Sequence, residues 1–278
     1  MNKKYGRVRT ALALALLLTA LCGCSQKIGQ NETHTKVEKQ ESVQDEVKKE
    51  DKEEQEPLKK EITIAIDPGH QSEQIDMSGL EENGPGSSTM KRKATGGTRG
   101  NDTGKMEYEL NLEISLQLKE KLEEQGYQTI LTRENNETAV SNKERALRSN
   151  QADLAVRIHA NGSEAEEAEG ALCLIMSREN PYVGDLYDSS SQLAKEILES
   201  YCQKTGFQNR GISENDTMTG INWSKIPVVI LEMGFMTNSQ DDQKMADPQF
   251  QKIMVQGIAD GIVNYLSYDV EKQPRIPG

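Results

Sequence analysis

Ile62-Thr63-Ile64-Ala65-Ile66-Asp67-Pro68-Gly69-His70 opens the folded part of this chain, and Leu154-Ala155-Val156-Arg157-Ile158-His159-Ala160-Asn161 repeats its logic further on. Each is a short, largely apolar run closed by polar or turn-forming residues, as a buried strand requires. Each also ends on a histidine. Only three histidines occur in 278 residues, so two of them at strand ends, with acidic residues placed to join them, point to a metal site.

Outward from these runs, strands alternate with helices. Residues 107–125 carry Leu110, Leu112, Ile114, Leu116 and Leu118 in a strand-like alternation. Their length, their Glu/Lys/Gln content and Gly126 as a stop nevertheless favour a helix with Ile114, Ser115, Leu118 and Leu122 inward. Residues 127–132 predict a strand, and Ser141-Asn142-Lys143-Glu144 is a capping box that opens a helix to about residue 150. Further strands are predicted at 154–158, 171–176 and 227–231. A helix over 189–203 turns Leu193, Ile197 and Tyr201 inward and stops at Gly206. The last helix begins at Asp247-Pro248 and runs to about residue 266, with Phe250, Met254, Ile258, Ile262 and Tyr265 on its inner face.

This alternation predicts the α/β class: one domain, a largely parallel twisted sheet, and helices on both faces. In such sheets ligands gather at the carboxyl ends of the strands. His70, His159 and Glu232 all follow strands at that edge.

The N-terminus reads as a targeting segment. Lys3, Lys4, Arg7 and Arg9 precede an apolar run over residues 11–21, which is short for a spanning helix of about 20 residues. Leu21-Cys22-Gly23-Cys24 resembles the bacterial lipobox, with cleavage expected before Cys24 and a diacylglycerol on its sulfur. Residues 25–60 lack aromatics and are dominated by Glu, Lys, Gln and Asp, so they cannot bury enough apolar surface to offset their ordering entropy. As a coil of about 36 residues they would span roughly 30–35 Å on average and up to about 120 Å when stretched.

The expected organisation is therefore a lipoprotein signal peptide over 1–23, a lipidated cysteine and disordered charged tether over 24–60, a catalytic domain over 61–268, and a tail over 269–278. His34 lies in the tether and is set aside. Cys173 and Cys202 remain in the folded part; nothing in the sequence says whether they pair, and free buried thiols are favoured over a bridge. A formal net charge of −12 speaks against nucleic acid and against electrostatic adhesion to an anionic wall or membrane. Localisation would rest on the lipid, on the outer face of the cell membrane.

A catalytic zinc takes three protein ligands and keeps one position for water. His70 and His159 supply two. No usable histidine or well-placed cysteine remains, so the third must be a carboxylate. Glu107 and Glu109 both qualify, and spacing alone does not choose between them. Glu232 ends the apolar strand Pro227-Val228-Val229-Ile230-Leu231, where a charged group is costly without a task or a partner. A carboxylate there can take a proton from water and pass it to a leaving nitrogen.

At this point the fragments resemble the zinc-dependent N-acetylmuramoyl-L-alanine amidases of the amidase 3 type. In order they are Ile66-Asp67-Pro68-Gly69-His70, Glu107-Tyr108-Glu109-Leu110-Asn111-Leu112, Leu131-Thr132-Arg133, Arg145 with the nearby Asn150, the His159 strand from Ala152 to Asn161, Asn209-Arg210-Gly211, and Pro227 through Glu232 to Asn238. The resemblance implies His70, Glu107 and His159 as zinc ligands, Glu107 because the family's glutamate stands four residues before the helix's Asn-Leu. It implies Glu232 as the catalytic glutamate. The implied reaction is hydrolysis of the amide between N-acetylmuramic acid and the L-alanine of the stem peptide, by a monomer whose partners are peptidoglycan and, through the lipid, the membrane. Two other readings are a zinc peptidase acting within the stem peptide and an inactive wall-binding regulator.

The chain departs from the common family pattern in three places. Residues 71–105 form a long Gly/Ser-rich segment that joins two ligands, so it is expected to border the site as a groove wall or a lid. Arg157 stands where a serine is usual, and Asn222-Trp223 is unusual before the fifth strand. Arg133 and Arg145 are expected to partner carboxylates, and Asp67 to serve a turn or support a ligand. Asn161 and Asn238 are expected at the rim, and Trp223 in the groove or partly in the core.

Overall fold

In the computed structural model, which describes residues 60–165 and 167–272, the two quoted stretches are neighbouring strands. β1 (Thr63–Pro68) and β5 (Leu154–Asn161) run parallel, with Ile64 opposite Leu154 and Pro68 opposite Ile158. β4 (Gln128–Leu131) pairs parallel on the other side of β1, and β8 (Val228–Phe235) pairs parallel with β5. β6 (Ala171–Ile175) then pairs antiparallel with β8 and parallel with β7 (Asn209–Glu214). The order is β4-β1-β5-β8-β6-β7. Strands β1, β5 and β8 occupy the middle and are almost wholly buried, which explains their continuous apolar sequence.

The helices flank this sheet. α1 (Glu107–Glu124) buries Ile114, Ser115, Leu118 and Leu122, the stripe expected of it. α2 (Asn142–Ser149) opens on the expected capping box: Ser141 Oγ accepts from Glu144 N, and Glu144 accepts from Ser141 N at 2.7 Å. α3 (Tyr187–Thr205) packs against α6 (Pro248–Lys272), and α1 packs on α6 as well. The approach of α3 to α6 depends on Gly261, because a Cβ there would collide with the Ile197 backbone. α2 packs with the single turn α4 (Thr219–Asn222).

Three features were not legible in the sequence: the antiparallel hairpin of β2 (Leu80–Glu82) and β3 (Met90–Arg92), the strand β7, and the helix α5 (Ser239–Ala246). The hairpin strands are short and largely exposed, so no hydrophobic alternation marks them. Asn238, expected at the rim, instead caps α5 by accepting from Gln240 N and Asp241 N. Cys173 and Cys202 are free thiols. The signal segment, Cys24 and the tether lie outside the described residues, as does His34. Among the described residues no helix is long and apolar enough to cross a membrane.

Candidate metal centre

The carboxyl ends of β1, β5 and β8 meet the first turn of α1. There the side chains of His70, Glu107 and His159 converge, with one donor atom from each lying within 4.8 Å of the others. His70 Nε2 and His159 Nδ1 each stand 3.2 Å from Glu107 Oε1. The two imidazoles meet edge to face, their centroids 4.8 Å apart.

Backbone design makes this convergence possible. Gly69 lies flat beneath the His159 ring, where any Cβ would overlap the imidazole. Gly97 sits at φ +81°, and a Cβ on it would strike Glu107. His70 itself holds φ 60°, the one positive-φ non-glycine residue among those described. That conformation costs of order 1–3 kcal/mol, so the surroundings must enforce it.

Two arginines do so. Arg145 donates to Pro68 O at 2.6 Å, to His70 O at 2.7 Å and to Asp67 Oδ1 at 2.9 Å. Arg133 donates to Pro68 O at 2.9 Å, to Gly69 O at 3.0 Å and to Tyr108 O at 2.7 Å. Arg145 thus partners a carboxylate as expected. Arg133 does not: it reads backbone carbonyls, and so ties the His70 turn to the first turn of α1 that carries Glu107. The planar five-donor fork of arginine suits this task.

Asp67 is buried between Arg145 and Arg157, whose Nη2 lies 3.0 Å from Oδ2, and it also accepts from Thr132. Burial alone would raise its pKa, but Arg157, Arg145 and Thr132 together hold it well below the ordinary carboxylate range. The Arg157 guanidinium rests over Gly220 of α4, where a Cβ would collide with it. The unusual arginine therefore buttresses the β1 end rather than touching the donor cluster.

Glu107 and Glu109, equivalent on spacing, are separated by the fold. Glu109 turns back to accept from Met106 N at 3.3 Å and caps the helix. Glu107 is buried, accepting from Thr98 N at 2.8 Å, Ala160 N at 3.2 Å and Asn111 Nδ2 at 3.3 Å. Burial would raise its pKa, yet contacts with His159 and His70 keep it well below the usual value. Desolvation pulls His159 down to about 4, so at neutral pH it is an uncharged imidazole able to ligate.

His70 Nδ1 lies 3.1 Å from Thr95 O and 3.0 Å from Thr95 Oγ1. A carbonyl only accepts, so a neutral His70 carries its proton on Nδ1 and presents the Nε2 lone pair to Glu107 Oε1. Two electron-rich atoms 3.2 Å apart repel unless a proton or a metal ion lies between them. The imidazole, imidazole and carboxylate donors are those of a zinc site. Thr95 and Thr98 belong to the long segment after His70, and they support two members of the cluster directly. Sequence reasoning placed this segment at the border but missed these contacts, because exposed Thr-Gly-Gly-Thr carries no signal of its partners.

Glu232 follows on β8, opposite His159 in register. It lines an open cleft of about 560 Å³ together with His70, Glu107 and His159, and Asn161 stands on its rim as expected. Burial, with the nearby Glu107 charge, pushes Glu232 up to about 8. Trp223 is not in this cleft. Its Nε1 donates to Glu82 O and Lys143 covers its ring, so it pins the β2–β3 hairpin.

An α/β sheet with a His-Glu-His cluster and a free-standing carboxylate at its carboxyl edge defines a hydrolase scaffold with a candidate metal centre. Residues 64–264 match the family model described as N-acetylmuramoyl-L-alanine amidase, Amidase_3. The chain is 30% identical over 207 residues to the N-acetylmuramoyl-L-alanine amidase LytC of Bacillus subtilis, a match covering 73% of this chain and 35% of LytC. It is 32% identical over 163 residues to the uncharacterized Bacillus subtilis protein YqiI, covering 58% of this chain and 75% of that one. The crystal structure of an N-acetylmuramoyl-L-alanine amidase from Clostridium difficile 630 superposes with a TM-score of 0.60 at 27% identity, over 74% of this chain and 97% of that one. This chain belongs to the N-acetylmuramoyl-L-alanine amidase family of enzymes.

Proposed function

We propose that the chain is a zinc-dependent cell-wall amidase that hydrolyses the amide between the lactyl group of N-acetylmuramic acid and the first L-alanine of the stem peptide. His70, Glu107 and His159 would hold the zinc. Bound there, zinc supplies a Lewis acid and lowers the pKa of water from 15.7 towards about 7. Glu232 does the proton work: as a carboxylate it accepts the proton of the attacking water, and it then returns a proton to the departing alanine nitrogen. Its raised pKa suits both halves of that exchange, and a neighbouring dication would draw it back towards neutrality. The backbone clamp of Arg133 and Arg145 holds His70 in place while this happens.

The observation that carries this reading is the position of Glu232, one strand from His159 and open to the same cleft. Membership of the family supports the bond that is cut. The test is digestion of purified wall by the protein, with and without a chelator, followed by identification of the new termini. Free lactyl carboxylates together with L-alanine amino groups, lost on chelation, support the reading. Other termini indicate a peptidase acting within the stem, and no termini indicate an inactive wall-binding protein.

For the ends of the chain we propose a signal peptide over 1–23, a diacylglycerol on Cys24, and a tether over 24–60 that lets a monomeric catalytic domain work on the wall from the outer face of the membrane. A Cys24→Ser protein that still partitions into the membrane fraction would exclude the lipid anchor.

A further inference from the structure

Asp242 is a buried acidic residue that the proposed chemistry does not use. It sits in the first turn of α5 and is 1% exposed. An acidic side chain there ordinarily satisfies the free N–H groups of its own helix. In α5 that work falls to Asn238, and Asp242 turns instead to a segment far earlier in the chain. Its Oδ2 accepts from Asp102 N and Thr103 N, both at 2.9 Å, and its Oδ1 accepts from Thr103 Oγ1 at 2.6 Å. Gly100 leaves room for this contact, since a Cβ there would stand 2.2 Å from Asp242 Oδ1.

The residues held in this way form the tip of a ribbon whose base is the candidate metal centre. Gly100 N donates to Lys105 O at 2.9 Å, Arg99 and Met106 form an antiparallel bridge, and Glu107 N donates to Thr98 O at 3.0 Å. At the base Thr98 N donates to Glu107 Oε2 at 2.8 Å, while Oε1 of the same carboxylate faces His70 and His159. Thr98 thus helps to set which oxygen is turned to the imidazoles, and the tip limits where Thr98 can stand. Asn101 fastens the same tip to the residues after β8, donating to Met236 O and Thr237 O at 3.0 Å each. β8 carries Glu232, and α5 begins a short turn beyond it. The contact of Asp242 with Thr103 therefore joins the strand bearing Glu232 to the turn bearing Glu107.

Resting on the metal-centre reading above and deepening it, we propose that Asp242 is a positioning residue for that centre. Through Thr103 it holds residues 98–107 so that the Thr98 N–H stays on Glu107 Oε2 and Oε1 stays turned to the two histidines. Groups that orient a metal's ligands from outside tune its affinity. Asp242 acts one layer further out than Thr98, and Asn101 holds the tip as well, so its loss weakens the centre without abolishing it.

The test measures zinc affinity of the full chain by competition with a chromophoric chelator, which needs no turnover. Asp242→Asn places an amide where one carboxylate serves three donors. Thr103→Val removes the hydroxyl at an exposed position, where the fold is not at risk, and Thr103→Ser keeps it. Asp242→Asn should weaken zinc binding roughly tenfold and Thr103→Val about threefold, the worth of one hydrogen bond. The double variant should lose no more than Asp242→Asn alone, because both remove one contact, and Thr103→Ser should match the parent. Asp241→Asn controls for a general loosening of α5. Asp241 is 3% exposed, but it accepts from Gly170 N and Phe235 N and does not reach the ribbon. Its exchange should lower the urea midpoint of the chelated protein and leave zinc affinity at the parent level. Parent affinity in both Asp242→Asn and Thr103→Val, or an equal loss in Asp241→Asn, overturns the role of Asp242 while the metal centre stands. A parent chain that binds no zinc overturns the centre itself, and this role with it.

Discussion

His159 and Glu232 are register partners on adjacent parallel strands, β5 and β8. One strand end thus delivers a donor to the candidate metal centre and the next delivers a carboxylate to the same cleft. The spacing is set by the sheet itself, about 4.8 Å between strands, and not by flexible loops. This fixes which substitutions should separate metal binding from chemistry.

Glu232→Gln keeps the shape of the side chain and removes its proton exchange. Amide hydrolysis should fall by about 10²–10⁴-fold, the usual worth of a positioned acid–base group, while zinc content measured by atomic absorption stays at the parent level. Loss of zinc along with activity would make Glu232 part of the metal's support and not the proton carrier.

Arg133→Lys keeps the charge but replaces a fork that reaches Pro68, Gly69 and Tyr108 carbonyls with a single point of contact. With the turns bearing His70 and Glu107 no longer tied together, zinc affinity should drop by about 10–100-fold. Competition with a chromophoric chelator measures this, and excess zinc should restore most of the activity.

Asp67→Asn leaves Arg145 and Arg157 buried without their carboxylate. Breaking a buried pair in this way costs about 3–5 kcal/mol, which urea denaturation at pH 7 would show. The same pair gives an acid dependence. The pKa of Asp67 is depressed in the folded state, so its contribution is present above the unfolded carboxylate value and is lost as pH falls towards the folded one. Stability of the parent should decline progressively below about pH 4, and that of Asp67→Asn should decline less.

In the chelated protein Glu232 gives the opposite trend. Its folded pKa, about 8, lies above the unfolded value, so the neutral form stabilises the fold below about pH 4.3 and this contribution is lost as pH rises through 8. Metal-free Glu232→Gln should therefore melt higher than the metal-free parent at pH 8.5, and the gap should close towards pH 4. A gap that is constant with pH would mean that Glu232 does not titrate in this window.

Much of the site was readable because its residues stand at strand ends, where local sequence carries the information. The runs ending in His70 and His159 and the apolar strand before Glu232 each announced buried backbone with a polar terminus. The choice between Glu107 and Glu109 was not local. Both sit in the first turn of one helix, and only the positions of Thr98 N and Ala160 N, brought in from other segments, draw Glu107 into the interior while Glu109 caps the helix. The role of Arg133 was hidden for a similar reason. Apart from Asn136 Oδ1, its partners are backbone carbonyls, which every residue possesses and no residue type advertises.

By itself the sequence determined the alternation of strands and helices, the edge at which chemistry gathers, and the need for a carboxylate beside two scarce histidines, because periodicity and composition act within one segment. The tertiary structure alone decided that β6 runs against β8, that Arg157 shares Asp67 with Arg145, and that the segment after His70 folds into a hairpin pinned by Trp223. Those outcomes depend on contacts between residues far apart in the chain, where geometry in three dimensions, and not the pattern along one, sets the energy.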